Sequence, residues 1–480
     1  MKKVMFATSE AVPYVKTGGL ADVTGSLPKY FDKKKFDVRV ILPKYMCILQ
    51  EKKQEMEYLF DFTISLGWRE QYVGIWKAEN DGITYYFIDN EFYFGGWKPY
   101  GNIYEDVEKF AFFSKAILET LKRIEFQADI IHCHDWQTGL VSVYLEEFYR
   151  KDDFYRNMKT VFTIHNMKFQ GRWKLEEVRD ITGFPKSLFT PDKLETYGEA
   201  NYLKGGILYS DIVTTVSDSY AKEIMTREGG EGLDGVMRER SSALLGIVNG
   251  IDYEEYNPKT DIYIPYHYNT ENVERIKPKN KEELQKEMGL PVEKDAFLIG
   301  IVSRMTDQKG FDLIDYILEE ILISDKQIQF VVLGTGEERF ENVIRHYSWK
   351  YGNQMVSLIS YSEKHAHRIY AGADALLMPS LFEPCGLSQL MSMRYGTLPM
   401  VRETGGLKDT VEPYNEYEQT GNGFSFANYN AHEMLHMIRY AKETYSQHKK
   451  EWNQMVVRAM KCDYSWKASA NEYEKLYNQL

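Results

Sequence analysis

The sequence predicts an α/β chain of two doubly wound domains facing each other across a central cleft. Three observations carry this prediction. At 480 residues the chain exceeds one ordinary hydrophobic core. Short apolar runs recur along it, separated by stretches long enough for helical crossovers, the pattern of a parallel sheet. Two glycine-pair segments echo each other in the two halves, Lys16-Thr17-Gly18-Gly19-Leu20-Ala21-Asp22 and Thr404-Gly405-Gly406-Leu407-Lys408-Asp409. Adjacent glycines permit tight turns and close approach to a ligand. If each pair opens a helix, its N–H groups form a small anion site. Two such sites suggest a phosphate-bearing ligand held between two similar domains.

The elements follow in order. Val4–Ala7 reads as a strand, followed by the first glycine loop and a helix-periodic stretch through Tyr30. Asp37–Leu42, Ile130–His134, Thr160–His165 and Asp211–Val216 read as further strands, with Lys109–Ile124 as one crossover helix. A second series starts after Asn249-Gly250: Ala296–Val302, Ile328–Leu333, Val356–Ile359, Ala375–Met378 and Thr397–Val401. Asp252–Pro291 reads as a connecting segment with one helix, Lys281–Met288, and the chain closes in a helical tail from about His432 with breaks. The expected domains are residues 1–245, residues 246–455, and a C-terminal helix, 456–480, crossing back to the first domain.

Composition narrows the function. The formal charge of −12 argues against nucleic acid or an anionic membrane as the main partner. No apolar run is long enough to span a bilayer, and Val4–Ala7 is too short for a signal-peptide core. Cys47, Cys133, Cys385 and Cys462 are scattered and form no CxxC pair, which fits a reducing, cytoplasmic location and provides no zinc framework.

In a doubly wound sheet ligands bind at the carboxyl ends of the strands. Lys16, His134-Asp135, His165-Asn166, Arg304, Gly334 and Glu383 all fall there. Lys16 beside two glycines suits a diphosphate, although an isolated Lys-Thr-Gly-Gly is equally compatible with a surface turn. Arg304 and Lys309 share one loop after a strand and would clamp a pyrophosphate, stabilising the charge that grows as it leaves; the alternative is two solvated side chains. Glu383 precedes a helix and suits either sugar hydroxyls or a capping role. His132 and His134 share one face of a strand, but a third well-spaced ligand is lacking, so no metal is expected. There is no Walker loop, complete GxGxxG, GxSxG or paired-carboxylate signature. Those absences point to transfer driven by leaving-group stabilisation.

Nine segments in order resemble the bacterial glycogen synthases and plant starch synthases, retaining glucosyltransferases with two Rossmann-like domains of GT-B type. They are KTGGLADV from Lys16, HCHDWQTGL from His132, TIHNMKFQG from Thr163, YLKGGILYSD from Tyr202, VNGID from Val248, SRMTDQKG from Ser303, LGTGEERFE from Leu333, GADALLMPSLFEPCGLSQL from Gly372 and YGTLPMVRETGGLKDTV from Tyr395. The resemblance implies transfer of glucose from ADP-glucose to the non-reducing end of an α-1,4-glucan such as glycogen, with no cofactor or metal.

It also implies roles. Lys16, with Gly18 and Gly19, would contact the donor; Arg304 and Lys309 would neutralise the diphosphate; Glu383 would hold the glucose hydroxyls, aided by Thr404, Gly405 and Gly406. His165 would sit beside the anomeric carbon, Asp135 and Asn166 would line the acceptor side, and Tyr361 would stack on adenine. Met391 occupies the position where many retaining GT-B enzymes carry a second Glu, a departure shared with the synthase subgroup. An α-glucan phosphorylase, which would need lysine-bound pyridoxal phosphate, and a catalytically silent glucan-binding paralogue are the competing expectations.

Overall fold

The computed structural model describes residues Met1–Leu480, which divide into two compact units. Unit 1 comprises Met1–Asn249 and Trp466–Leu480; unit 2 comprises Gly250–Ser465. No helix is long and apolar enough to cross a membrane.

Unit 1 is built on a nine-stranded sheet with order β12-β11-β7-β6-β1-β2-β5-β4-β3. Its strands are β1 (Lys2–Ala7), β2 (Phe36–Pro43), β3 (Glu57–Leu66), β4 (Arg69–Asn80), β5 (Ile83–Asp89), β6 (Ile130–His134), β7 (Lys159–Ile164), β11 (Ile212–Thr215) and β12 (Leu244–Gly246). A small separate sheet joins β8 (Arg172–Lys174), β9 (Glu195–Thr196) and β10 (Glu199–Asn201). The central pairings are parallel, whereas β3, β4 and β5 form an antiparallel meander. Asp81 and Gly82, at φ 52° and 72°, turn β4 into β5, since two successive positive φ values match the twist of a tight hairpin.

The stretch after the first glycine loop is helical from Gly19 to Ser26 and then tightens into a 3₁₀ turn, Leu27–Tyr30, where Pro28 takes an early position. The crossover helix is longer than expected, Ile103–Arg123, with the Asn102 side chain accepting from Glu105 N.

Unit 2 is a six-stranded parallel sheet, order β15-β14-β13-β16-β17-β18. Its strands are β13 (Phe297–Val302), β14 (Ile328–Leu333), β15 (Met355–Leu358), β16 (Ala375–Met378), β17 (Leu398–Arg402) and β18 (Phe424–Phe426). β13 and β14 are apolar at nearly every position because helices cover both faces of a parallel sheet. The connecting helix is also longer than expected, Val273–Met288, and contains Pro278.

The helical tail is three helices, Ala431–Gln447, Lys449–Lys461 and Trp466–Gln479. Residues 456–465 were expected to travel with the last of these. They stay in unit 2, where Val456, Ala459 and Met460 are buried in its core. Only the helix from Trp466 completes unit 1. Tyr477 stacks on Phe31 at 5.6 Å between ring centroids, Glu474 accepts from Asp32 N at 2.8 Å, and Ser469 Oγ donates to Val248 O at 2.8 Å.

Candidate functional site

In unit 1 the chain leaves β1 at Ala7 and reaches Glu10, which is 3% exposed. Its Oε1 accepts from Thr17 Oγ1 at 2.6 Å and from Tyr100 Oη; its Oε2 accepts from Thr17 N. Ser9 Oγ lies 2.8 Å from the same Tyr100 hydroxyl. Glu10 therefore anchors the first glycine loop to the end of β1 and to the segment before the long crossover helix. The sequence reading missed it. The available signal was an acidic residue placed just after a buried strand and before a glycine loop.

Lys16 is exposed on that loop and pairs with Asp22 Oδ1 at 2.7 Å. Gly18 has extended backbone, and no atom lies within 4 Å of where a Cβ would stand, so the space beside it is open. Gly19 begins the helix Gly19–Ser26.

Asp135, His165 and Asn166 meet where β6 and β7 end. Asp135 adopts φ 56°, a strained conformation for a non-glycine residue, and its Oδ1 accepts from His165 N at 2.7 Å. Desolvation pushes its carboxyl up to about 7, opposed by the backbone N–H groups of His165 and Asn166. His165 Nε2 lies 3.0 Å from His134 Nδ1. Burial lowers His165 to about 3, so its ring is neutral. The Asn166 side chain turns onto its own loop, accepting from Lys168 N at 3.0 Å.

Behind His165 the rings of His134 and His132 stack at 4.2 Å. Both nitrogens of His132 are engaged by hydroxyls, Tyr477 Oη and Thr163 Oγ1, each at 2.6 Å. Burial holds these two rings well below the usual histidine range.

In unit 2 two loops converge. Lys309 ends the short turn Asp307–Lys309 after β13, and Glu383 follows β16. Lys309 Nζ lies 2.6 Å from Glu383 Oε2, with side chains 17% and 8% exposed. Ser380 Oγ donates to the same oxygen at 3.0 Å. A carboxylate this deep stays charged only with a cation and hydrogen bonds beside it.

The second glycine pair packs directly on this loop. A Cβ on Gly405, at φ +45°, would stand 2.0 Å from Glu383 O, and one on Gly406 would stand 2.1 Å from Cys385 O. These glycines are therefore demanded by the protein's own backbone, not only by a ligand. Gly406 N–H donates to Glu383 O and Pro384 O, each at 3.1 Å, so that amide is already engaged, contrary to the expected free anion-binding group. Thr404 precedes them and caps the short helix Gly405–Thr410 with extended backbone.

Arg304 is exposed at the end of β13, and Tyr361, 82% exposed, stands just before the helix Glu363–Gly372.

The chain resembles known proteins along its whole length. Residues 3–239 match the family described as starch synthase catalytic domain, and residues 280–455 match glycosyl transferases group 1. A glycogen synthase from Lachnospira eligens is 63% identical over 480 residues, covering 100% of both chains. One from Lachnoclostridium phytofermentans is 60% identical with the same coverage. Among solved structures, the catalytic domain of starch synthase IV from Arabidopsis thaliana, bound to ADP and acarbose, superposes with a TM-score of 0.91 at 32% identity, covering 100% of this chain and 99% of that one. Such likeness along the whole length makes this chain a member of the glycogen synthase family of glycosyltransferases, with the GT-B fold.

Proposed function

We propose that this protein transfers glucose from ADP-glucose to the non-reducing end of an α-1,4-glucan, with retention at the anomeric carbon and without a dissociable cofactor, in the cytoplasm. The observation that carries the reading is the buried Lys309–Glu383 pair braced by Ser380 and the second glycine pair. It is supported by membership of the family and by the ADP and acarbose held by the Arabidopsis relative.

In this reading unit 2 binds the donor. Lys309 and Arg304 neutralise the diphosphate as the glycosidic C–O bond breaks, a contribution made mainly in the transition state. Glu383 orients the glucose hydroxyls, and Tyr361 offers an exposed ring to adenine. Unit 1 supplies Lys16 to the donor, with Gly18 and Gly19 leaving room for it, and Asp135 and Asn166 to the acceptor. His165, neutral at working pH, donates no charge, so it steadies the anomeric centre as a dipole. No protein nucleophile takes part in this reading. The glucan hydroxyl attacks on the face from which the diphosphate departs, and its proton passes to a donor phosphate oxygen.

A panel of ADP-, UDP- and GDP-glucose assayed with purified protein and glycogen tests the proposal. Incorporation from ADP-glucose at least tenfold faster than from the others is expected. Incorporation from none, or release of glucose 1-phosphate on adding inorganic phosphate to glycogen, would overturn it.

A further inference from the structure

Unit 2 holds a second cluster that shares no residue with the groups above. Glu363 and His367 lie one turn apart on the helix Glu363–Gly372, and Glu255 comes from the segment that opens the unit. One ligand atom from each lies within 4.8 Å of the other two. We infer that Glu255, Glu363 and His367 bind one divalent transition-metal ion of the zinc type.

Two acidic groups near a histidine would not alone support this. The independent observation is the histidine itself. His367 is 1% exposed, and its Nδ1 lies 2.7 Å from Asp261 Oδ2. Its other nitrogen, Nε2, is buried and has no hydrogen-bond partner. Asp261, itself buried and accepting from Tyr395 Oη, fixes the proton on Nδ1 and leaves the Nε2 lone pair unspent. A carboxylate holding one ring nitrogen while the other is presented bare is the outer shell that histidine metal sites use.

The ring is not free to turn toward another partner. Tyr256 stacks on it at 4.8 Å and 18°, and Tyr263 meets it edge-on at 5.1 Å. The carboxylate that engages Nδ1 is Asp261. The neighbouring cations are drawn elsewhere: Arg368 and Lys364 both turn to Glu287.

The donor set selects the ion. One imidazole and two carboxylates suit Zn²⁺, with water completing a tetrahedron. Magnesium, which keeps an all-oxygen octahedral shell, fits poorly. Ligand atoms around zinc stand about 3.4 Å apart for bonds near 2.1 Å, so the two exposed carboxylates need only small rotations to close on the ion.

The test uses the full chain, stripped with a chelator. Calorimetric titration with Zn²⁺, and Co²⁺ followed by visible absorption, should each show one saturating equivalent, and Zn²⁺ should raise the melting temperature. Glu255→Gln and Glu363→Gln, both at exposed positions, should each weaken binding at least tenfold and shrink the rise in melting temperature on adding Zn²⁺. Asp261→Asn should weaken it by about 10–100-fold, as expected for an outer-shell partner. The inference fails if neither ion saturates, if both glutamate variants bind like the parent, if cobalt gives the intense near-ultraviolet bands of thiolate ligation at one of the four free cysteines, or if a hundredfold excess of Mg²⁺ displaces the zinc.

Discussion

Replacing Lys309 by Met is the sharpest test of the ion pair in unit 2. The change removes the only cation beside a carboxylate whose side chain is 8% exposed and leaves it one hydrogen bond, from Ser380 Oγ. Stranding one member of a buried pair costs about 3–5 kcal/mol. The remaining hydrogen bond, and the opening left by a lysine that was itself 17% exposed, set the expectation at the low end, about 3 kcal/mol. For a unit of this size each kcal/mol moves the melting temperature by about 2–4 °C, so unit 2 should melt about 6–12 °C lower. Adding Glu383→Gln to Lys309→Met removes the stranded charge and should recover most of that loss. Turnover separates the two roles. The single and double variants should both lose on the order of 10²–10³ in glucose transfer, because leaving-group stabilisation does not return with stability. Thermal unfolding followed by circular dichroism, read as a double-mutant cycle, and a radiolabelled incorporation assay supply both numbers. Additive losses in the double variant, or a parent-like melting temperature for Lys309→Met, would refute the electrostatic account.

Other consequences are equally measurable. Arg304→Ala should reduce transfer by on the order of 10²–10³ while barely moving the melting temperature, since the side chain is exposed; a loss of only a few-fold removes it from the diphosphate site. Gly406→Ala should push the Glu383–Cys385 loop aside, because its Cβ meets Cys385 O at 2.1 Å, and calorimetry should show ADP binding weakened at least tenfold; parent-like affinity would contradict the packing argument. Tyr477→Phe removes a hydroxyl 2.6 Å from His132 Nδ1 in a buried site and should cost unit 1 about 1–3 kcal/mol, read by denaturant unfolding. In pH dependence, His132, His134 and His165 are lowered by burial, so their contribution is complete above the unfolded value near 6.5 and is lost as pH falls. Asp135, raised from 3.8 to about 7, has the opposite sign: its contribution is complete below the unfolded value and is lost as pH rises through 7. With three groups against one, the melting temperature of unit 1 should climb from pH 5 to 7, and Asp135→Asn should steepen that climb; an unchanged or shallower slope would mean Asp135 titrates normally.

The parallel strands were legible because strands buried on both faces read as unbroken apolar runs, as in Phe297–Val302 and Ile328–Leu333. The antiparallel pair Glu57–Leu66 and Arg69–Asn80 was not, because exposed charged and aromatic residues interrupt both strands. Asp81-Gly82 was a hairpin signal in plain sight. At the site, individual residues could be picked out by their position at strand ends, but partnerships could not. Lys309 and Glu383 are 74 positions apart, and Glu10 finds Tyr100 across 90. The second glycine pair was read as an opening for ligand, yet its tightest constraint is the carbonyl groups of Glu383 and Cys385. His367 gave no warning at all, since its bare nitrogen follows from a contact with Asp261 that only folding creates.

The helix Trp466–Gln479 has a consequence for biosynthesis. Phe31, Phe36 and His132 belong to strands and turns made early, but all three contact Tyr477, which leaves the ribosome hundreds of residues later. During translation unit 2, contiguous from Gly250 to Ser465, has its whole sequence available before unit 1 does. A frameshift or proteolytic nick just past Ser465 would therefore spare the unit it follows and cripple the one begun at Met1.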